Sequence, residues 1–175
     1  MTSSIKIRDA TTDELGVVEE LVMEACKEFR PLLPEDLWND WMESIHETIS
    51  SEHGTIIVAE INGNIEGAVQ FYADARKIKF STASKGWSSI RILSVRPNGR
   101  EKGLGELLIK ECIERARKIK SSAIYLYTAE FMGAARHIYE KMGFKPIKYN
   151  TKRCFSHEGR PPIVYHLDLN LSKTE

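Results

Sequence analysis

Residues 93–105 read Leu93-Ser94-Val95-Arg96-Pro97-Asn98-Gly99-Arg100-Glu101-Lys102-Gly103-Leu104-Gly105. The alternation up to Val95 is that of a strand, and Pro97 stops it because proline has no N–H for a sheet ladder. Beyond the glycines, apolar residues recur at Leu104, Leu107, Leu108, Cys112, Ala116 and Ile119, one face of a long helix. A strand therefore passes into a helix through a glycine-bearing turn. The first amides of such a helix lack internal partners, and its dipole places about half a positive charge there. Gly103 and Gly105 let a ligand approach the backbone with no Cβ in the way, while Arg100 and Lys102 add positive charge. The combination predicts an anion site, most naturally for a pyrophosphate. It is not a Walker A loop, since no GxxxxGK[ST] string occurs, and Leu108 occupies the third small position of a dinucleotide fingerprint.

The strand leading into this turn carries a second signal. Its apolar residues run Ile90, Ile92, then Leu93, Val95, so the alternation slips between residues 92 and 93. Such a slip predicts a β-bulge, which leaves local backbone groups unpaired. An extended, amide-rich ligand can take up those groups as an added strand would.

Outward from this segment, Ile5 to Arg8 predicts a first strand, and Thr11 with Glu14 predicts a capping box. Leu15, Val18, Leu21, Val22, Ala25 and Phe29 then share one helical face, and Leu37, Trp38, Trp41, Ile45 and Ile49 mark a second helix beyond Pro31 and Pro34. Thr55–Ile61 and Ile65–Tyr72 flank Asn62-Gly63, a type I′ hairpin signature. Residues 73–88 show little period and predict a long loop or a hairpin extension. Ala123–Thr128 reads as a strand; Ala135, Ile138, Tyr139 and Met142 line a short helix that Gly143 ends. Strands follow near Lys145–Tyr149 and Ile163–Leu169. The order β-α-α-β-β-β-α-β-α-β-β predicts a mixed α/β fold, one domain over residues 1–175 with its core from about residue 5 to 169.

Composition sets the outer limits. With 175 residues, 42% hydrophobic and 29% charged, the chain is not disordered as a whole. Its 25 basic and 25 acidic residues give a net charge of +0, which argues against a dedicated nucleic-acid partner. Apolar runs fall far short of the ~20 residues of a membrane span, and the first residues lack the apolar segment of a secretory signal. The expectation is a cytoplasmic protein without a membrane partner. Cys26, Cys112 and Cys154 are widely spaced with no CxxC or HExxH, so no metal is expected.

The segment from Leu93 to Gly105 resembles motif A of the GNAT superfamily of acyl-CoA-dependent N-acyltransferases, LxVxPxxRxxGxG/A. Leu93, Val95, Pro97, Arg100, Gly103 and Gly105 all match. Ile7-Arg8-Asp9-Ala10-Thr11 is similar to the superfamily's usual opening, and Ala135 to Phe144 is similar to its AxxxYEKxGF motif. The resemblance implies a central, mostly antiparallel sheet with a splayed, bulged strand, and acetyl-CoA as co-substrate. It implies that the backbone of Leu93, Ser94 and Val95 hydrogen-bonds the pantetheine arm. The amides of Arg100, Glu101, Lys102, Gly103, Leu104 and Gly105, with Glu106, would cradle the pyrophosphate. Tyr139 would protonate the departing thiolate. Met132 departs from the pattern, standing where the superfamily often has a cofactor-contacting asparagine.

The activity so implied is acetyl transfer to the primary amine of a small molecule or peptide, by direct attack within a ternary complex. A non-catalytic CoA-binding sensor or recruitment module is the alternative. Relatives often pair as homodimers. For the general base, the polar positions of the bulged strand are Ser89, Arg91 and Ser94, none acidic, which leaves Glu130 after the neighbouring strand, or a chain of waters. Without the motif, Tyr139 reads as a core tyrosine. Trp38 and Trp41 read as core, with an aromatic wall for the acceptor as the other reading. Cys112, on the apolar side of its helix, is expected to be inert. The loops at Arg30–Glu35 and around Cys154, Phe155, His157 and Arg160 border the acceptor site in related enzymes.

Overall fold

A computed structural model describes residues 4–79, 81–148 and 162–170. Among the described residues seven strands form one sheet: β1 (Ile5–Asp9), β2 (Thr55–Ile61), β3 (Asn64–Tyr72), β4 (Trp87–Val95), β5 (Ala123–Thr128), β6 (Lys145–Ile147) and β7 (Ile163–Asp168). Their spatial order is β1-β2-β3-β4-β5-β7-β6. Neighbours are antiparallel except β4 and β5, which run parallel and pair only at Trp87–Ala123, Ser88–Ile124 and Ser89–Tyr125. Beyond Ser89 the two strands part, so the sheet is split over its second half at this point.

The helices cover both faces. α1 (Leu15–Cys26) and α2 (Glu35–Ile49) pack Val18, Leu21, Val22, Ile45 and Ile49 on Ile56, Val58 and Ala68. α4 (Leu104–Lys118) and α5 (Gly133–Lys141) cover the other face, where Leu104, Leu108, Ile109, Cys112 and Tyr139 meet Ile57, Val69, Ile124 and Leu126. The alternation of β2 dictates this division: Ile56 and Val58 point one way, Ile57 and Ala59 the other. Leu104, Leu108 and Ile109 are fully buried, and burial of such a side chain contributes about 1.5–3 kcal/mol. No helix among the described residues is long and apolar enough to cross a membrane.

Local signals map closely onto these elements. Asn62 (φ 50°) and Gly63 (φ 88°) supply the two positive angles of the β2–β3 turn. Glu14 accepts from the Thr11 amide at 2.9 Å, completing the expected capping box. Arg8 clamps Glu14 and Glu60 at 2.8 Å each, holding the Glu14 carboxyl down near 2. Of the last strands, β6 stops at Ile147; Tyr149 lies outside the described residues.

Two expectations need correction. The span 73–88 is not all loop: a short 3₁₀ turn occupies Ala75–Lys77, with Ala75 fully buried, and β4 already begins at Trp87. The strand slip also falls one residue earlier than the spacing predicts. Gln70 pairs with Arg91 while Ala68 pairs with Ser94, and Ile92 sits at φ 53°. Ile92 therefore joins the α1–α2 face, whereas Ile90, Leu93 and Val95 lie on the α4–α5 face. A β-branched residue in the left-handed region costs about 1–3 kcal/mol of strain, offset here by the packing of its side chain.

Candidate functional site

The site forms where the sheet splits. On its α4–α5 side, a one-turn helix, α3 (Pro97–Arg100), leads from the bulged strand to Gly103, whose φ of 69° caps α4. The Lys102 and Gly103 amides are used within the turn, bonding the carbonyls of Gly99 and Arg100 at 3.1 and 3.3 Å. The amides of Leu104, Gly105 and Glu106 have no acceptor among the described residues, because the first bond into the helix is Leu107 to Gly103. Three amides at the positive end of a 15-residue helix form a cradle for an anion.

The two glycines serve different ends. A Cβ on Gly103 would meet nothing within 4 Å, so that position needs glycine for its angle and leaves the approach clear. A Cβ on Gly105 would lie 2.7 Å from Cδ1 of Ile138. Gly105 is buried and sets the close contact of α4 with α5. The side chains of the turn are also partly committed. Arg100 donates to Glu28 at 2.5 Å and to the Val95 carbonyl at 3.3 Å, and Arg96 pairs with Glu24, so α1 is tied to the turn. Lys102 is exposed, and Glu106 bridges to Lys141 on α5 at 2.7 Å, which draws its carboxyl below the usual range.

Tyr139 lies on α5 beneath this turn, 6% exposed, with ring centroids 5.9 Å from those of both Phe144 and Tyr165. Burial, then the neighbouring Cys112, pushes its phenol upward, so it stays protonated across the neutral range. Its hydroxyl makes no hydrogen bond among the described residues. By contrast Tyr165, equally buried, donates to Glu140 at 2.6 Å and accepts from Arg136 at 3.2 Å.

The opposite face opens into a cleft of about 760 Å³. Its floor is Arg91 of β4 and Tyr127 of β5, facing each other just beyond the last β4–β5 pair. One wall is the polar stripe of α2: Asp40, Glu43, Ser44, Glu47 and Thr48. The residues after β3, Lys77 and Lys79 among them, form another. Ser89 is committed elsewhere, donating to the Tyr125 carbonyl at 2.8 Å. Glu130 is exposed at the exit of β5, outside the cleft wall, and its carbonyl accepts from Arg136. Phe131 beside it packs on Phe29 (5.2 Å) and Trp41 (6.3 Å), and Trp41 meets Trp38 edge-on at 5.9 Å. The tryptophans are thus half-buried in an aromatic cluster joining α2 to the β5–α5 connection.

The structure brings together Leu93–Val95, the turn and Tyr139 around one split in the sheet. Reading the sequence missed the α2 stripe and the cleft role of Arg91. The i, i+3, i+7 spacing of Asp40, Glu43 and Glu47 was visible as a polar face, but nothing local said what it faces. Cys154, Phe155, His157 and Arg160 lie outside the described residues. Among the described residues no group of three His, Cys, Asp or Glu side chains is placed to hold a metal ion.

Comparison with known proteins fits this architecture. Residues 16–144 match the family model described as the acetyltransferase (GNAT) family. The chain is 29% identical over 161 residues to an uncharacterized N-acetyltransferase of Schizosaccharomyces pombe, covering 91% of this chain and 90% of that one. Among solved structures it is similar in fold to the PaiA N-acetyltransferase of Thermoplasma acidophilum in complex with coenzyme A. That match has a TM-score of 0.71 at 16% identity, over 94% of this chain and 99% of that one. It is also similar in fold to YncA, a putative acetyltransferase of Salmonella typhimurium with acetyl-CoA, with a TM-score of 0.63 at 18% identity over 95% of each chain.

Proposed function

The chain belongs to the acetyltransferase (GNAT) family, and on that premise we propose that it transfers the acetyl group of acetyl-CoA to the primary amine of a small molecule or peptide. The observation that supports this reading best is the pair of approaches meeting at the split between β4 and β5. The anion cradle opens on the α4–α5 side, and the cleft floored by Arg91 and Tyr127 opens on the other. Two substrates can then occupy the protein together, and the amine attacks the thioester directly, with no covalent enzyme intermediate.

The pyrophosphate rests on the amides of Leu104, Gly105 and Glu106, and the pantetheine arm runs along Leu93 to Val95, where the bulge frees backbone groups. As the amine nitrogen bonds to the carbonyl carbon, negative charge grows on the carbonyl oxygen, and a backbone N–H near Val95 stabilises it. The C–S bond then breaks and Tyr139 gives its proton to the departing thiolate. The amine's proton leaves through water toward a carboxylate, with Glu130 at the exit of β5 as its proposed destination.

The test is a screen for acetyl-CoA-dependent thiol release over several hundred amines. Release confined to particular amines, with product masses 42 Da higher (approximately one acetyl for one proton), is the expected result. Tight coenzyme A binding without release for any amine would overturn the reading.

A further inference from the structure

The acceptor cleft carries a charge that nothing else in the fold uses. Arg91 is half-buried on its floor and makes no hydrogen bond or ion pair among the described residues. The other half-buried arginines are all engaged: Arg8 with Glu14 and Glu60, Arg30 with the Leu33 carbonyl, Arg96 with Glu24, Arg115 with Asp9 and Glu111, Arg136 with Tyr165. A half-buried guanidinium that faces an open cleft and has no protein partner is free to take an anion that arrives with a ligand.

Its surroundings narrow the ligand. Gln70, directly across the β3–β4 ladder from Arg91, shares its face of the sheet. Gln70 is fully buried, donates Nε2 to the Thr48 carbonyl at 2.7 Å, and leaves Oε1 without a partner among the described residues. Arg91 does not donate to that nearby oxygen. The α2 wall presents Asp40, Glu43 and Glu47, and the lysines of the other wall, Lys77 and Lys79, are exposed, Lys79 being paired with Glu47, so Arg91 is the half-buried cation of the cleft among the described residues. A guanidinium fork such as that of Arg91, beside the split in the sheet, can hold a carboxylate with two parallel hydrogen bonds.

Building on the acetyl-transfer reading, we infer that the acceptor is a free amino acid whose α-carboxylate binds Arg91. That anchor sets the α-amine, two bonds away from the carboxylate carbon, next to the point where β4 and β5 part. The side chain then extends along the acidic stripe of α2.

The experiment compares an amino acid, its α-carboxamide and its decarboxylated amine as acceptors for the wild-type protein, Arg91→Gln and Arg91→Lys, with folding of each checked by near-UV circular dichroism. For the wild type, kcat/KM is expected to favour the free acid over the other two by about tenfold or more, since a site built to bond a group rejects analogues lacking it. Arg91→Gln should erase that preference by weakening the acid alone, mostly through its KM, with the KM for acetyl-CoA unchanged. Arg91→Lys should restore part of it. A wild type that turns over the amide or the amine as well as the acid overturns this inference and leaves acetyl transfer standing. An equal loss for all three acceptors in Arg91→Gln also overturns it. Failure of every amine to give thiol release would instead remove the acetyl-transfer reading, and this one with it. Should Arg91→Gln not fold, the wild-type ranking alone decides.

Discussion

Tyr139 packs in the core and is also the proposed acid for the departing thiolate. Its ring fills the core between Phe144 and Tyr165, and its hydroxyl has no protein partner among the described residues. Tyr139→Phe therefore removes a single oxygen from a place where it does little for stability. Because burial raises the phenol, the group is fully protonated at working pH but also a weaker acid, so its help to the leaving thiolate is limited. The expected outcome is a fall in kcat of about one to two orders of magnitude, with the KM for acetyl-CoA nearly unchanged, the mark of an interaction made mainly in the transition state. The loss should shrink for an acyl donor with a more acidic thiol. A variant with wild-type kcat would return Tyr139 to a packing role. The sequence singles this residue out because its motif is local, running from Ala135 to Phe144. Arg91 is not singled out, because an arginine's role depends on whether a carboxylate on another element reaches it.

At the level of elements, the turn between β4 and α4 separates two glycines that look alike in sequence. Gly103→Asp forces a side chain into the left-handed region, at about 1–2 kcal/mol, but meets open space. Its added charge faces the three free amides. Acetyl-CoA affinity should fall at least about tenfold, or 1.4 kcal/mol, while the fold survives, as titration calorimetry and a melting curve would show together. Gly105→Asp should behave differently, because its Cβ displaces Ile138 and its carboxylate is buried where α4 meets α5. There the melting temperature should drop first, and any affinity loss should follow from it. Unchanged affinity in Gly103→Asp would place the phosphates elsewhere. The bulge was legible as a slip in alternation; its offset by one residue was not, since the spacing of Ile90, Ile92 and Leu93 does not say which face claims Ile92.

Over the whole molecule, the core is sealed enough to be read chemically. Cys112 is fully buried between α4 and the sheet, and Cys26 nearly so beneath α1 and α2. Burial raises both thiols, Cys26 to about 12, and the thiolate is the reactive form. Alkylation of Cys112 with iodoacetamide in native buffer should be negligible, and its onset in denaturant should coincide with the loss of far-UV circular dichroism, as peptide mass mapping would show. Labelling at the rate of a free thiol in native buffer would mean that α4 opens on its own. The element order was readable along the chain because each strand and helix carries its own period. The cleft was not, because it joins α2, the residues after β3, β4 and β5, which are far apart in sequence.

The three residue pairs between β4 and β5 are also a seam between two antiparallel groups, β1 to β4 and β5, β7, β6. Each group completes its own ladders, while the core beneath α4 and α5 is shared by both. The α2 wall and Arg91 belong to the first group; α5, which carries Tyr139, belongs with the second. Under the proposed chemistry, Arg91 at the amine and Tyr139 at the thiol stand on opposite sides of this seam, and Tyr127 of β5 reaches the cleft across it. Changing the α2 residues that face the cleft, Asp40, Glu43 and Glu47, is then a route to a new acceptor with Tyr139 left in place.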